Sequence, residues 1–128
     1  MNKKQISSTG APAAIGPYSQ AIQAGDFLYV SGVLPIDPST GKVVEGTIET
    51  LLNRIIDNME ALLKAAGMTL DHVVKTDVFM KDLNDFQAMN KEYAKRFHGP
   101  VPPARTTVQV AKLPLDVRLE IACIAYKH

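Results

Sequence analysis

The segment from Thr47 to Ala66 constrains the fold more than any other part of this 128-residue chain. Its apolar residues recur every three or four positions, which on a helix forms one continuous stripe. The stripe comprises Ile48, Leu51, Leu52, Ile55, Ile56, Met59, Leu62, Leu63 and Ala66. Thr47 can cap the first turn, and Gly67 can take the left-handed conformation after the last. The sequence therefore predicts a long helix with one face against a core.

The rest of the chain reads as strands and one further helix around this element. The predicted strands are Tyr18–Gln23, Phe27–Leu34, Val73–Met80, Arg105–Val110 and Val117–Tyr126. A second helix is predicted over Leu83–Phe97, with inward residues Leu83, Phe86, Met89, Tyr93 and Phe97. Met1–Gly16 is expected to be mostly irregular, Gly25-Asp26 to be a hairpin turn, and Pro35–Gly41 to be loop and turn. This order predicts one α+β domain over residues 1–128, with both helices on one face of a sheet.

The last predicted strand indicates what covers the opposite face of that sheet. Its odd positions, from Val117 to Ala125, are all apolar and can meet the helices, whereas its even positions are mixed. Phe27–Leu34 carries apolar side chains on both faces. A half-apolar face without helices is usually hidden in an oligomer, so self-association is expected, most simply as a closed ring.

Two lone charges interrupt the predicted strands, and they suggest a site. Arg105 begins one strand and Glu120 lies inside the next, where charges are costly unless they are paired or used. If the two strands form an antiparallel hairpin through the turn at Pro114, Thr107 lies opposite Glu120. Arg105 is then diagonal to Glu120, roughly 7–8 Å away at the backbone, which leaves room for one small molecule. The alternatives are that Arg105 bridges to a partner's carboxylate and that Glu120 pairs with Arg118 or with a neighbouring chain.

Composition excludes several classes of function. A net charge of +1 provides no bulk attraction to nucleic acid or to anionic lipid. The single cysteine, Cys123, lies in an apolar strand and is expected to be a buried, inert thiol. His72, His98 and His128 share no ligand spacing, so no metal site is expected. The chain shows neither a signal peptide nor an apolar run that could span a membrane, so a cytoplasmic protein is expected.

Several segments together resemble one known family. They are Ala11-Pro12-Ala13-Ala14-Ile15-Gly16-Pro17-Tyr18-Ser19-Gln20, Val30-Ser31-Gly32, residues 74–83, Pro103-Ala104-Arg105-Thr106-Thr107-Val108, Leu113-Pro114 and Leu119-Glu120-Ile121. This combination closely resembles the RidA/YjgF family of reactive-intermediate deaminases, in its RidA-like subgroup. The likeness runs from about Ala11 to Ala125, which is nearly the whole chain.

The resemblance implies a chorismate-mutase-like α+β fold assembled as a homotrimer, with sites in clefts between subunits. It implies hydrolysis of enamines and imines such as 2-aminoacrylate and 2-aminocrotonate to 2-keto acids and ammonia, without cofactor or metal. Pyridoxal-phosphate-dependent serine and threonine dehydratases would release these substrates. The family's carboxylate-binding arginine falls on Arg105 and its acidic residue on Glu120. The other implied site residues are Tyr18, Ser31, Gly32 and Asn90.

Alternatives remain for these positions and for the function. Tyr18 can instead be an interface aromatic, Ser31-Gly32 can serve close backbone packing, and Asn90 can be a satisfied buried amide. Thr107, whose backbone N–H is a candidate substrate donor, stands where many relatives carry cysteine, so chemistry that needs a thiol there is not expected. The competing functions are a non-catalytic trimer that binds 2-keto acids and regulates a partner, and an endoribonuclease or translation inhibitor. The second lacks a basic stripe with aromatics.

Overall fold

The computed structural model describes residues 2–128. The elements are β1 (Lys3–Ile6), β2 (Ala21–Ala24), β3 (Phe27–Val33), β4 (Ile36–Asp37), β5 (Lys42–Val43), α1 (Ile48–Ala65), β6 (Val73–Met80), α2 (Phe86–Arg96), β7 (Ala104–Gln109) and β8 (Leu119–Tyr126). Six strands form one sheet in the order β1-β2-β3-β8-β6-β7, and β4 pairs with β5 separately. Both helices pack on one face of the large sheet and enclose the core. The predicted α+β fold is confirmed.

Helix α1 follows the periodicity of its sequence. The stripe from Ile48 to Leu63 is buried, and the Thr47 side chain accepts a hydrogen bond from the Thr50 N–H at the first turn. Gly67 has φ +73°, as expected after the last turn. Asn58 is a buried polar residue on this helix, and its amide donates to the carbonyls of Leu34 and Ile36. These bonds tie the segment after β3 to the helix.

Strand β8 shows the predicted alternation. Its odd positions are buried against the helices: Leu119, Ile121, Cys123 and Ala125. Its even positions lie on the opposite face, where Glu120, Ala122 and Ile124 are half-buried and Tyr126 is exposed. Because paired residues share a face, the register extends this open face across the sheet. Its members include Ile22, Tyr29, Ile124, Phe79, Val108, Phe27 and Tyr126.

Several predicted boundaries are wrong. Residues 2–16 are mostly irregular, as expected, although Lys3–Ile6 forms β1, which pairs with β2 at one edge of the sheet; Met1 lies outside the described residues. The strand expected from Tyr18 begins at Ala21, and the final strand begins at Leu119 rather than Val117. A short 3₁₀ turn over Leu83–Asp85 precedes α2, which leaves Leu83 exposed rather than inward. The shifted boundaries fall at element ends, where loop contacts rather than periodicity decide the conformation.

The expected hairpin between the last two strands is also wrong. Strand β7 pairs in parallel with β6, and β8 lies on the other side of β6. The apolar β8 takes a central position between β3 and β6, whereas the polar β7 can tolerate the sheet edge. Helix α2 joins β6 to β7 as the crossover that parallel neighbours require.

Candidate active site

The parallel pairing of β7 places Arg105 and Glu120 on opposite faces of the sheet. Arg105 pairs with Thr76, a buried residue whose hydroxyl contacts Tyr93 of α2, so Arg105 lies on the helix side. Glu120 pairs with Phe79 and lies on the open side. The expected diagonal contact between Arg105 and Glu120 within one chain is therefore wrong. The candidate residues form two separate groups.

The first group is built around Arg105. Its guanidinium carbon lies 4.7 Å from the centroid of the Tyr93 ring and 5.6 Å from that of Phe86. The hydrogen bonds and ion pairs among residues 2–128 do not involve this guanidinium. Asn90 is exposed on α2, four residues after Phe86 and three before Tyr93, so it shares their side of the helix. A half-buried cation with free donors can receive an anion from outside the chain.

Thr76 and Thr107 complete this first group. The Tyr93 hydroxyl lies 2.7 Å from that of Thr76, and burial, the largest effect, raises the pKa of Tyr93. Thr107 follows Arg105 on the same side of β7, and its buried hydroxyl oxygen has no hydrogen-bond partner among residues 2–128. The exposure of Asn90 removes the alternative of a satisfied buried amide.

The second group is built around Glu120 and Gly32. The register between β3 and β8 shifts between Val30 and Val33, which marks a bulge containing Ser31 and Gly32. A Cβ atom on Gly32 would overlap the Glu120 carboxylate, with Oε2 as the nearest atom and Cδ at 2.8 Å. The carboxylate thus occupies the space that the missing side chain leaves. Burial raises the pKa of Glu120, which favours a group that exchanges a proton.

Glu120 does not pair with Arg118 as one alternative suggested. The Arg118 guanidinium donates instead to the Gly46 carbonyl at 3.0 Å and to the Asp85 carboxylate at 3.2 Å. Glu120 takes no part in the ion pairs formed among residues 2–128. Its charge is therefore available to a ligand or to another chain.

The loop before β2 carries Tyr18 to the bulge. The Ser31 hydroxyl donates to the Ser19 carbonyl at 2.6 Å, and the Ser31 N–H donates to the Gln20 carbonyl at 3.0 Å. The Gln20 amide donates to the Pro12 carbonyl at 2.7 Å, which closes the loop on itself. Tyr18 is 49% exposed, and its hydroxyl accepts from the Ile15 N–H at 3.4 Å. Ser31 therefore anchors this loop, and its hydroxyl proton is not free for a substrate.

Tyr18, Ser31 and Gly32 line one cleft of about 260 Å³. Its other walls are mainly apolar and include Ile15, Leu34 and Leu115. Leu115 has φ +55° although it is not glycine, a strained conformation of the kind that gathers at functional sites. The cleft suits a small organic molecule with an apolar part.

Sequence reasoning missed some of this machinery. Gln20 and Leu115 were not considered as site residues, and Phe86 and Tyr93 were expected only in the core. A polar residue inside the Gly16-Pro17-Tyr18-Ser19-Gln20 motif was the available signal for Gln20. Cys123 is buried as predicted, and burial raises its pKa to about 12, so its thiol is inert at neutral pH.

Residues 2–128 contain no group of three His, Cys, Asp or Glu side chains close enough to share a metal ion. Neither helix in that range is both long and apolar enough to cross a bilayer.

Comparison with known proteins places the chain among close relatives. The family profile described as Endoribonuclease L-PSP matches residues 8–127. A RutC family protein of Pyrococcus horikoshii is 50% identical over 98% of this chain and 99% of its own length. A protein of Salmonella typhimurium named 2-iminobutanoate/2-iminopropanoate deaminase is 44% identical over 98% of each chain.

The solved structures agree with the sequence matches. The crystal structure of YyfA from Yersinia pestis, of the conserved Rid protein family, superimposes with a TM-score of 0.95. It is 44% identical to this chain and covers 98% of it, with 100% of its own chain matched.

Proposed function

This chain belongs to the RidA/YjgF family, which includes reactive intermediate deaminases, and on that premise we propose that it hydrolyses 2-enamine and 2-imine acids. Its substrates are compounds such as 2-aminoacrylate and 2-aminocrotonate, and its products are 2-keto acids and ammonia. One observation carries the proposal: the guanidinium of Arg105 is half-buried, the carboxylate of Glu120 is partly desolvated, and neither forms an ion pair among residues 2–128.

Arg105 binds the substrate carboxylate. A guanidinium offers two parallel N–H donors that match the two oxygens of a carboxylate. The Tyr93 and Phe86 rings lie close to its guanidinium carbon, and neither ring uses up an N–H donor as a carboxylate partner would. Closing the site against water strengthens this charge pairing.

Glu120 handles the proton. The enamine first tautomerises to the imine, and Glu120 then removes a proton from the water that attacks the imine carbon. The C–O bond forms as the proton passes to the imine nitrogen, which gives a carbinolamine. Glu120 then moves the hydroxyl proton of the carbinolamine to its amino group, and the C–N bond breaks as the C=O bond forms, which releases ammonia and the 2-keto acid. The pKa of Glu120 is raised by burial, which brings its basicity closer to the operating pH. Backbone N–H groups near Gly32 and Thr107 hold the carboxylate or the water.

The site is completed by a second copy of the chain. Arg105 and Glu120 lie on opposite faces of one sheet, so one chain contributes two half-sites. The open face carries exposed apolar side chains, including Tyr29 at 46% and Val108 at 38% exposure, which favour burial between copies. We propose a closed homotrimer in which the Arg105 group of one copy faces the Tyr18, Gly32 and Glu120 group of the next.

Coupling the protein to a threonine or serine dehydratase tests the activity. The loss of a semicarbazide-trapped imine, or the release of keto acid, is timed with wild type, Arg105→Ala and Glu120→Gln. The arginine variant should be essentially inactive, and the glutamine variant should be slowed by about 10²- to 10⁴-fold. Unchanged rates in both variants would contradict the deaminase proposal. Binding of keto acid without turnover would favour the regulatory alternative, and RNA cleavage without turnover would favour the endoribonuclease.

Mixing the two variant chains tests the shared site. An equal mixture that is unfolded and refolded together should form hybrid trimers. About a quarter of the sites in random trimers then combine an intact Arg105 with an intact Glu120 from the next copy. Activity of the mixture near a quarter of wild type supports sites between chains. Activity no higher than the mean of the two variants places each site within one chain.

A further inference from the structure

The two rings beneath Arg105 have no part in the proposed chemistry, yet they determine how the guanidinium is presented. Cation–π stacking uses the flat face of a guanidinium and leaves its five N–H donors directed outward in the plane. Tyr93 lies at 4.7 Å and Phe86 at 5.6 Å from the guanidinium carbon. Arg105 therefore has an aromatic support where a carboxylate partner would otherwise be needed to hold it.

Tyr93 is itself held firmly. It is buried, its ring packs on Phe97 at a centroid distance of 4.6 Å, and its hydroxyl bonds the Thr76 hydroxyl at 2.7 Å. Thr76 is fully buried on β6 and is the direct neighbour of Arg105 across the ladder. The backbone position that carries Arg105 and the ring that supports its side chain are thus fixed to the same residue.

We propose that Tyr93, fixed by Thr76 and assisted by Phe86, is a positioning residue that prepares Arg105 to bind a carboxylate with both donors. The proposal rests on the proposed function only in requiring an anionic, carboxylate-bearing ligand. Without the rings, the arginine side chain samples several rotamers, and binding must order it again at an entropic cost. The effect should appear in ligand affinity and KM, whereas kcat should stay near wild type because the proton chemistry belongs to Glu120.

The test measures the dissociation constant for 2-oxobutanoate, a stable keto acid, by NMR titration of the assembled protein. Tyr93→Leu removes the ring and should weaken binding by about 2- to 30-fold, the range of a cation–π contact. Tyr93→Phe keeps the ring but loses the contact with the Thr76 hydroxyl, so it should lose less affinity than Tyr93→Leu, and Thr76→Val should resemble it. If Tyr93→Leu does not fold, Phe86→Leu provides the same test at a half-buried position.

Two controls separate positioning from general damage. Leu28→Ala removes a fully buried side chain on β3, which β8 and β6 separate from β7, and it leaves both rings beneath Arg105 in place, so its affinity should stay near wild type. In an Arg105→Ala background, Tyr93→Leu should cause no further loss of affinity, because the residue through which it acts is absent.

Three results would overturn the positioning role. They are wild-type affinity in folded Tyr93→Leu and Phe86→Leu proteins, an equal loss in Leu28→Ala, or the same loss in the absence of Arg105. If imine hydrolysis is absent but 2-oxobutanoate binding follows the expected order, the proposed reaction fails and the positioning role stands.

Discussion

Replacing Gly32 with alanine should inactivate the protein without removing any proposed catalytic group. A Cβ atom at this position would overlap the Glu120 carboxylate, with Cδ at 2.8 Å and Cγ at 3.3 Å. Only the end of one flexible side chain stands in the way, so Glu120 can rotate aside. The carboxylate would then leave the place from which we propose that it activates water.

The effects on stability and on turnover should differ widely. Turning Glu120 to an unfavourable rotamer costs about 0.5–1.5 kcal/mol. The lower entropy of an unfolded chain with alanine offsets about 0.4–1 kcal/mol of this, because Gly32 does not have the positive φ that would strain alanine. The free energy of unfolding should thus change by about 1 kcal/mol or less, whereas kcat should fall by about 10²- to 10⁴-fold, the usual contribution of a general base.

The assay is the dehydratase-coupled hydrolysis, together with denaturant unfolding and native mass measurement to show that fold and assembly persist. Gly99→Ala is a matched control, because its Cβ would lie 3.2 Å from a carboxylate oxygen of Asp71, outside both candidate groups. This control should keep wild-type turnover. The double variant Gly32→Ala/Glu120→Gln should be no slower than Glu120→Gln alone, since both changes remove the same function.

Wild-type turnover in a folded, assembled Gly32→Ala protein would refute the reasoning. It would show that the position of the Glu120 carboxylate does not matter for the reaction. Turnover that falls equally in Gly32→Ala and Gly99→Ala would also refute it, because the loss would then come from crowding any carboxylate and not from moving that of Glu120.

Three other outcomes follow from the site. Arg105→Lys should raise KM by at least about tenfold in the coupled assay, because one ammonium cannot replace a bidentate guanidinium; an unchanged KM would argue against the carboxylate contact. Glu120→Gln should raise the free energy of unfolding at neutral pH, because burial raises the pKa of Glu120 and makes its charged form costly in the folded state. The difference in the free energy of unfolding between Glu120→Gln and wild type should shrink as the pH falls from the raised pKa of Glu120 towards the usual pKa of a glutamate, because wild type then also folds with a neutral side chain. A difference that does not change with pH would contradict this explanation. Thr107→Val should stabilise the protein by about 1 kcal/mol in the same experiment, since the buried hydroxyl oxygen has no partner within residues 2–128. This variant should retain hydrolysis if only the Thr107 backbone is used.

Local patterns predicted most elements of the fold. The stripe of α1 and the alternation of β8 are both regular over many residues, so the buried face of each was correct before any partner was known. The capping roles of Thr47 and Gly67 were also correct, because they depend on a few neighbouring residues. β1 was missed because its Lys-Lys-Gln-Ile sequence has no apolar alternation and depends on pairing with β2.

The sequence predicted which residues belong to the candidate site, but it did not predict how they are placed relative to one another. Arg105 and Glu120 stood out as lone charges in predicted strands, and the family resemblance marked Tyr18, Ser31 and Gly32, which do lie along one cleft. Their mutual placement failed because it assumed that strands adjacent in sequence are adjacent in the sheet. A single wrong pairing moved Arg105 to the other face, since neighbouring positions on a strand point to opposite sides.

The sequence by itself determined which residues are buried along α1 and β8, because side-chain periodicity is a property of a single segment. Tertiary structure alone decided that β7 joins β6 in parallel, that the Tyr93 ring lies beneath Arg105, and that Glu120 fills the space above Gly32. These are contacts between distant segments, and they depend on which strands compete successfully for the centre of the sheet. The division of the charged pair between two faces belongs to this second category, because only the complete sheet specifies it.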